Sequence, residues 1–414
     1  MDYAEWVREE LEMLLRSHGL EFVPREELDA RLRRLRPLMK DRGMDALLII
    51  QKMDCYYFSG TAQDALLYVP LDDEPLLMVR RELGRAGIES ALTDIVEMRS
   101  IREISGLIGA HRGLLPKNLG MELDMLPAKE YLRYGELFPK TRIVDGSRVI
   151  AEVRKIKSPY EIERIRKAGR IGQRVYEEGR NILREGMSEI EFGGLLEACA
   201  KKYGHEGLIR VRAVNYEAYT WHVLSGPSGG IVSQSDSPMG GVGLSPAFPV
   251  GASRRRMGPG EPILVDFGTC YQGYQSDETR MFSIGRMEDK FLRAYDACRK
   301  IHDAVLDRTR PGADCEALFE DTLGIAEELG YAKSYLGPAG LQTRFIAHGI
   351  GLELAELPYL ARGHSYPLEE GMVFALEPKI VFPGEGAVGV ENTVLVTAEG
   401  FEILTPLRQD ILEV

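Results

Sequence analysis

Two aspartates in strand-like sequence could bind a cation together. Asp266 follows three apolar residues in PILVDFG, and Asp277 lies eleven positions later in YQSDETRMF, after a polar YQG turn. The pattern predicts a hairpin whose adjacent strands carry the two carboxylates. An unpaired carboxylate in the core of a sheet is costly, and two carboxylates also repel each other. A bound cation is the simplest remedy for both costs.

A second pair of carboxylates and one histidine lie in equally apolar runs. Glu377 stands in GMVFALEPKIVF, and Glu391 stands in AVGVENTVLV. Because side chains alternate across a strand, Glu377 shares a face with Val373 and Ala375, so we expect it to be buried. His348 lies in FIAHGIGLE, where two glycines allow the backbone to approach closely.

Four carboxylates and one imidazole form a mixed oxygen and nitrogen donor set. Such a set suits Mn²⁺, Co²⁺, Fe²⁺ or Zn²⁺ and differs from a cysteine-rich structural zinc site. Taken singly, each acidic residue has the ordinary interpretation that a strand carboxylate faces water. The joint pattern favours a metal site formed by Asp266, Asp277, His348, Glu377 and Glu391.

The composition argues against several other classes of function. The 414 residues carry a formal net charge of −12, which disfavours binding to nucleic acid or to an anionic membrane surface, because both need clustered basic residues. No apolar run approaches the ~20 residues that span a bilayer, and the acidic N-terminus lacks the pattern of a signal peptide. The five cysteines are scattered, without a CxxC pair. We therefore expect a cytoplasmic protein with reduced thiols.

Helix and strand signals alternate over roughly the first 150 residues. Leucines recur at helical spacing in residues 26–42, and DALLII, EPLLMVR and NLGMEL are typical of buried strands. This alternation predicts a small α/β domain with a mainly parallel sheet.

A domain boundary is expected where a long helix begins. Ser158, Pro159 and Glu161 have the spacing of a capping box with proline at the first helical position. A chain of this length is typical of two domains. We place the first domain at 1–154 and the second at 155–414.

The second domain contains a faint internal repeat. REGMSEIEFGGLLEACAKKYG and RPGADCEALFEDTLGIAEELG match at one offset of 126 residues. Ser188 and Asp314 are the expected helix N-caps of the two copies, and Gly204 and Gly330 are the expected stops. The repeat favours a duplicated domain, although capped helices can also look alike by chance. Residues 225–260, rich in Gly, Ser and Pro, are predicted to form loops around a site.

Five short motifs resemble those of a known family. VDFG, GYQSDETRMF, HGIGLE, LEEGMVFALEP and GVEN are similar, in order and spacing, to the ligand motifs of the pita-bread metallohydrolases, which include aminopeptidase P, prolidase, methionine aminopeptidase and creatinase. The resemblance covers residues 150–414 and, less specifically, the leading region. It implies an α+β fold in which a pita-bread C-terminal domain with pseudo-twofold duplicated halves follows an α/β creatinase-type N-terminal domain.

The resemblance also implies roles for the five side chains. Asp266 would chelate one of two divalent ions (Mn, Co, Zn or Fe), Asp277 and Glu391 would bridge the pair, and His348 and Glu377 would complete the other site. A water that bridges both ions, with its pKa lowered by them, would attack a peptide carbonyl. Glu377 is the expected general base, because it would lie within reach of that water.

The chain departs from the family pattern at positions that normally serve the substrate. Val250 and Ala355 stand where two histidines are usual, and Gly389 stands where an arginine is common. Asn392 replaces an aspartate, and Lys379 replaces a glycine after the fourth ligand. Because removal of one donor can cost ~10²–10³ in rate, we expect weak or no activity on simple Xaa-Pro dipeptides.

Other side chains could supply the missing groups. His222 in YTWHVLSGP is the better candidate for a catalytic histidine, and His364 in ARGHSYPLEEG is the alternative, although a loop histidine is more often a solvated surface residue. Arg280 is expected to neutralise the carboxylate cluster. The basic run at 254–256 could face a substrate carboxylate, but a solvated loop is the simpler interpretation.

These observations predict a cytoplasmic metallopeptidase that resembles Xaa-Pro aminopeptidase and prolidase and acts on small peptides. The resemblance also implies a homodimer. One alternative is a metal-dependent hydrolase or lyase of a small non-peptide compound, as creatinase shows that the fold can accommodate. Another is a binding scaffold without catalysis, which is disfavoured because all five metal ligands are retained.

Overall fold

The structure, a computed structural model, describes residues 2–216, 221–233 and 237–414. Its backbone contacts separate the chain into two compact units, Met1–Val153 and Arg154–Val414. Each unit has its own hydrophobic core. None of the described helices has both the length and the apolarity that a membrane crossing requires.

The first unit alternates helices with strands. Its helices are α1 (Tyr3–Trp6), α2 (Glu12–Ser17), α3 (Arg25–Asp41), α4 (Lys52–Ser59), α5 (Leu83–Glu89), α6 (Ile104–Arg112), α7 (Ala128–Leu137) and α8 (Ser147–Lys155), which ends just past the unit. A π-helical segment (Val7–Leu11) and a 3-10 turn (Ile101–Glu103) precede α2 and α6. Its strands are β1 (Ala46–Ile49), β2 (Ala65–Pro70), β3 (Leu76–Val79), β4 (Asp94–Glu97), β5 (Asn118–Met121) and β6 (Arg142–Asp145).

The six strands form one mixed sheet in the order β4-β3-β2-β1-β5-β6. The three segments predicted as strands are confirmed as β1, β3 and β5. Strand β2 is missing from the prediction and runs antiparallel to β1 and β3, whereas the other three pairings are parallel. The sequence does not reveal this reversal, because a short apolar run buried on both faces looks the same in either orientation.

The second unit contains two helix pairs, each followed by strands. Its helices are α9 (Pro159–Ile182), α10 (Glu189–Lys202), α11 (Asp289–Arg308) and α12 (Cys315–Glu328), with a 3-10 segment at Gly226–Gly230. Its strands are β7 (Trp221–Ser225), β8 (Ile263–Tyr271), β9 (Tyr274–Ser283), β10 (Phe345–Gly349), β11 (Glu356–Ala361), β12 (Val373–Leu376), β13 (Lys379–Phe382), β14 (Gly386–Gly389), β15 (Asn392–Val396), β16 (Phe401–Ile403) and β17 (Leu412–Glu413).

Local capping determines where the repeated helices begin. The capping box of Ser158 and Glu161 is confirmed at the start of α9. Ser188 forms a second capping box at the start of α10, and the Asp314 side chain accepts from the backbone of the third helical residue of α12. The glycines at 204 and 330 follow the two helices with φ of 103° and 83°, a conformation that favours glycine.

Each half of this unit packs a pair of helices on mostly antiparallel strands. Helices α9 and α10 pack on the sheet β17-β9-β8-β7, and α12 packs on β10 and β11 of the sheet β11-β10-β12-β15-β16. Helix α11 packs on the two-stranded sheet β13-β14. Strands β9 and β15 also contact each other, so residues of both large sheets can face one site.

Candidate metal centre

The first two carboxylates lie on one hairpin, as predicted. Strands β8 and β9 are antiparallel, with Asp266 opposite Thr279 and Asp277 opposite Gly268. The aspartates are therefore diagonal neighbours on one face of the hairpin. The backbone amide of Asp277 donates to the Thr393 hydroxyl at 2.9 Å, which ties β9 to β15.

The other three candidate ligands come from the second large sheet and its connections. His348 lies on β10, and Glu377 directly follows β12, where its amide donates to the Ile346 carbonyl at 3.0 Å. Glu391 precedes β15, and its Oε2 accepts from the Thr279 hydroxyl at 2.6 Å. The fold thus brings all five predicted ligands to one place.

Three of these side chains form a compact donor cluster. One ligand atom each from Asp277, His348 and Glu391 lie within 4.8 Å of one another. His348 Nε2 is 3.8 Å from Asp277 Oδ2 and 3.5 Å from Glu377 Oε1. All four residues are buried. Two carboxylates and an imidazole at this spacing can bind one divalent cation.

The ammonium of Lys379 lies among the remaining carboxylate oxygens. Its Nζ is 3.0 Å from Asp266 Oδ2, 2.5 Å from Glu377 Oε2 and 3.4 Å from Glu391 Oε2. The lysine side chain is only 1% exposed. In the sequence Lys379 is only a departure from the family pattern, and this contact was not predicted. The alternation of a strand could have indicated it, because a residue two positions after a buried Glu377 shares its face.

The charges in the cluster are only partly neutralised. Burial raises the pKa of Asp266, but attraction to Lys379 outweighs burial and holds that pKa below its usual value. Burial lowers the pKa of Lys379, but the surrounding carboxylates outweigh it and keep that pKa well above the usual range. Burial, followed by repulsion from neighbouring carboxylates, raises the pKa values of Asp277 and Glu391 well above normal. One ammonium therefore does not balance the group.

A cavity of about 710 Å³ opens above the cluster. Its volume is in the range of sites for small ligands. The five predicted ligands line it together with His222, His364 and Ala355. Asp266, whose side chain is 17% exposed, is more accessible than Lys379.

Both substitute histidines proposed from the sequence lie on the cavity wall. His222 is on β7, opposite Asp266 in the strand pairing. Burial lowers the pKa of His222 to about 4, so its imidazole is neutral near pH 7. His364 lies beside the rings of Tyr359 and Tyr366. The structure does not separate the two as catalytic candidates, and the role of His222 stays a prediction.

The structure corrects one expectation about arginines and supports another. Arg280 pairs with Glu278 at 2.7 Å and donates to backbone carbonyls, including that of Glu391, so the cation among the ligand carboxylates is Lys379 and not Arg280. In the basic run at 254–256, Arg255 pairs with Glu261 at 2.5 Å. This local pairing favours the loop interpretation over contact with a substrate.

Comparison with known proteins matches both units. The profile of metallopeptidase family M24 matches residues 163–398, which is more than half of the chain, and that of the creatinase/prolidase N-terminal domain matches residues 31–156. An Xaa-Pro dipeptidase of Pyrococcus furiosus is 27% identical over 386 residues, covering 92% of this chain and 99% of the relative.

Solved structures agree with this similarity. An X-Pro aminopeptidase from Thermotoga maritima has a TM-score of 0.77 at 25% identity, covering 92% of this chain and 99% of that one. An Xaa-Pro dipeptidase from Bacillus anthracis has a TM-score of 0.80 at 24% identity, covering 94% and 100%, which shows the fold alone. The predicted architecture of a pita-bread domain after a creatinase-type domain is thereby confirmed.

Proposed function

The chain belongs to metallopeptidase family M24. We therefore propose that it is a metal-dependent hydrolase of short peptides with proline at the second position. The observation that carries the proposal is the buried cluster of Asp277, His348 and Glu391, which opens onto a cavity of ligand size. The names of the relatives, Xaa-Pro dipeptidase and X-Pro aminopeptidase, support the substrate class.

The donor set fits a divalent cation. Carboxylate oxygens and one imidazole nitrogen are suitable ligands for Mn²⁺, Co²⁺, Zn²⁺ or Fe²⁺. Burial, and then repulsion from neighbouring carboxylates, raises the pKa values of Asp277 and Glu391, and a cation would stabilise their ionised forms. The resemblance implies two ions held by all five ligands. Three of those ligands, Asp266, Glu377 and Glu391, already pair with Lys379. A divalent ion in this place supplies an activated water and polarises a substrate carbonyl.

The protein's own groups would position and deprotonate the reactants. We assign Glu377 as the general base. Because Lys379 holds its Oε2, Oε1 is the oxygen that would take the proton from the attacking water. The Thr279 hydroxyl fixes the orientation of Glu391. His222, neutral and on the cavity wall, would contact the substrate as a hydrogen-bond partner.

The cavity wall supports a restricted substrate range. Ala355 lines the cavity without a hydrogen-bonding side chain, whereas the buried Val250 is not among the described residues that line it. If each missing donor cost ~2.7–4 kcal/mol of transition-state stabilisation, most of the useful rate on small dipeptides would be lost. The apolar Ala355 on the cavity wall also favours the second candidate, a hydrolase or lyase of a less polar, non-peptide compound.

A substrate panel tests the proposed function. Protein loaded with Mn²⁺, Co²⁺ or Zn²⁺ is assayed on Xaa-Pro dipeptides, on longer Xaa-Pro peptides and on matched Xaa-Ala peptides. We expect measurable, metal-dependent cleavage of Xaa-Pro bonds, with a kcat/KM on dipeptides below ~10⁴ M⁻¹s⁻¹, the low end for ordinary enzymes. A higher value would contradict the weak-activity prediction. No cleavage of any Xaa-Pro peptide would favour the non-peptide alternative.

We also propose a homodimer in the cytoplasm, with domains at 1–154 and 155–414. The family resemblance supports the dimer, and five free cysteine thiols are consistent with a reducing compartment. Light scattering coupled to size exclusion should give twice the mass of the chain, and a monomer at micromolar concentration would contradict the dimer.

A further inference from the structure

Lys379 reaches the carboxylates because the strand opposite it carries no side chain. Lys379 begins β13 and pairs directly with Gly389 on β14. A Cβ atom at position 389 would lie 2.5 Å from Lys379 Cγ and 3.1 Å from the Pro378 carbonyl oxygen. The first distance is closer than real Cβ contacts, and it involves the stem of the lysine and not its mobile end. The glycine therefore makes the space through which the lysine passes.

The ammonium has one N–H donor for each of the carboxylates around it. A lysine has three N–H donors, and three carboxylates, those of Asp266, Glu377 and Glu391, lie within 3.4 Å of Nζ. With 1% of its side chain exposed, the lysine is shielded from bulk water, so these carboxylates are its partners. A divalent cation bound to the same oxygens would have to displace this lysine, because the end of its side chain occupies the space between them. Like charges at such distances also repel strongly in a buried site.

We propose that the ammonium of Lys379 replaces one of the two divalent cations, so that the chain binds a single divalent ion at Asp277, His348 and Glu391. The inference rests on the proposed metal centre and adds its stoichiometry and a second, built-in cation. It also gives one explanation for two departures from the family pattern. Lys379 and Gly389 are a matched pair, since any larger residue at 389 would exclude the lysine from its present path.

Metal counting tests the proposal in the full chain. Metal-free protein is dialysed to equilibrium against excess Mn²⁺, and the bound metal is measured by mass spectrometry. The native chain should bind one ion per chain. Lys379→Gly, which opens the space and frees the oxygens of Asp266 and Glu377, should bind two.

Two control variants test whether the bulk of the side chain matters and whether the effect is specific to position 379. Lys379→Met removes the charge but keeps the bulk, so it should stay at one ion. Lys157→Met removes another buried ammonium, one that pairs with Glu356 at 2.9 Å, and should also leave one ion. Gain of a second ion in Lys157→Met would mean that the effect is not specific to position 379.

The number of bound ions separates a failure of this inference from a failure of the proposed function. Two ions in the native chain would overturn the inference and leave the proposed hydrolase intact. No bound ion would overturn both. A Lys379→Gly protein that folds but still binds one ion would also overturn the inference.

A packing test does not depend on metal counting. Gly389→Ala is made in the native chain and in Lys379→Gly, and thermal midpoints are compared in excess Mn²⁺. We expect the alanine to lower the midpoint by more than ~2 °C in the native chain and to have little effect once the lysine is gone, because contacting residues couple. An equal shift in both backgrounds would contradict the matched pair.

Discussion

Two buried ion clusters in the second unit differ in their balance of charge. In the first cluster, two cations from the start of the unit pair with two glutamates near β11. Arg154 pairs with Glu353 at 2.9 Å and also with Glu356, and Lys157 pairs with Glu356 at 2.9 Å. The cations here at least match the carboxylates in number. Burial raises the pKa of Glu356, but the two cations outweigh it and keep that pKa below its ordinary value.

The candidate metal centre has the opposite balance. Three carboxylates contact one ammonium, that of Lys379, and a fourth, that of Asp277, belongs to the same cluster. Burial, followed by repulsion from neighbouring carboxylates, raises the pKa values of Asp277 and Glu391 well above normal. A balanced buried cluster needs nothing further to be stable, whereas an unbalanced one needs another cation. This difference in charge separates a structural ion network from a binding site, although both consist of buried charged residues.

The largest expected effect is on catalysis at the unbalanced cluster. Glu377→Gln should lower kcat on any accepted substrate by ~10²–10⁴, the usual contribution of a general base, and should also weaken metal binding. Glu385→Gln, which alters an exposed carboxylate paired with Lys290, is the control and should retain activity. Near-normal turnover in Glu377→Gln would show that the base is misassigned.

The next effect is on stability at the balanced cluster. Lys157→Met should lower the free energy of unfolding by ~3 kcal/mol, because it leaves the buried Glu356 with one cation fewer. Urea denaturation measures this change. A variant as stable as the native chain would contradict the assignment of this cluster as a balanced structural network.

Metal removal should affect only the unbalanced cluster. At a metal concentration a hundred times its dissociation constant, binding stabilises the folded state by ~2.7 kcal/mol. Chelation should therefore lower the melting temperature of the native chain and of Lys157→Met by similar amounts. An unchanged melting curve after verified metal removal would contradict a buried metal site.

The smallest expected effect is a pH dependence at the balanced cluster. Because the folded-state pKa of Glu356 lies below its ordinary value of 4.5, its ionised form contributes stability above pH 4.5, and this contribution disappears as the pH falls through the folded-state pKa. Glu356→Gln should therefore be destabilising at pH 7 and less so below pH 4. An equal difference in unfolding free energy at both pH values would contradict this assignment.

The meeting of the four candidate carboxylates at one place can be predicted from sequence, because a carboxylate in an apolar strand is costly to bury unless a cation accompanies it. The hairpin of Asp266 and Asp277 and the helix caps at Ser158, Ser188 and Asp314 are local features, and the structure confirms them. Features that depend on long-range pairing are harder to predict. They include the reversed β2 and the identity of the cation among the carboxylates.

Lys379 shows why a feature that depends on long-range pairing is missed. Strand alternation places Lys379 on the same face as Glu377. Its side chain reaches the carboxylates only because Gly389, ten residues away on another strand, has no side chain in its path. Arg280 is closer to Asp277 in sequence and is therefore the more obvious candidate, yet the register of β9 directs it to Glu278 and the chain around 407–408.

The most direct test is a crystal structure of the full chain soaked in Mn²⁺, with anomalous scattering recorded to locate the metal. We predict one anomalous peak per chain, in contact with Asp277, His348 and Glu391, and an ammonium of Lys379 that still contacts Asp266 and Glu377. Two peaks with Lys379 turned away from the carboxylates, or no peak at all, would contradict a centre that holds one metal ion and one ammonium.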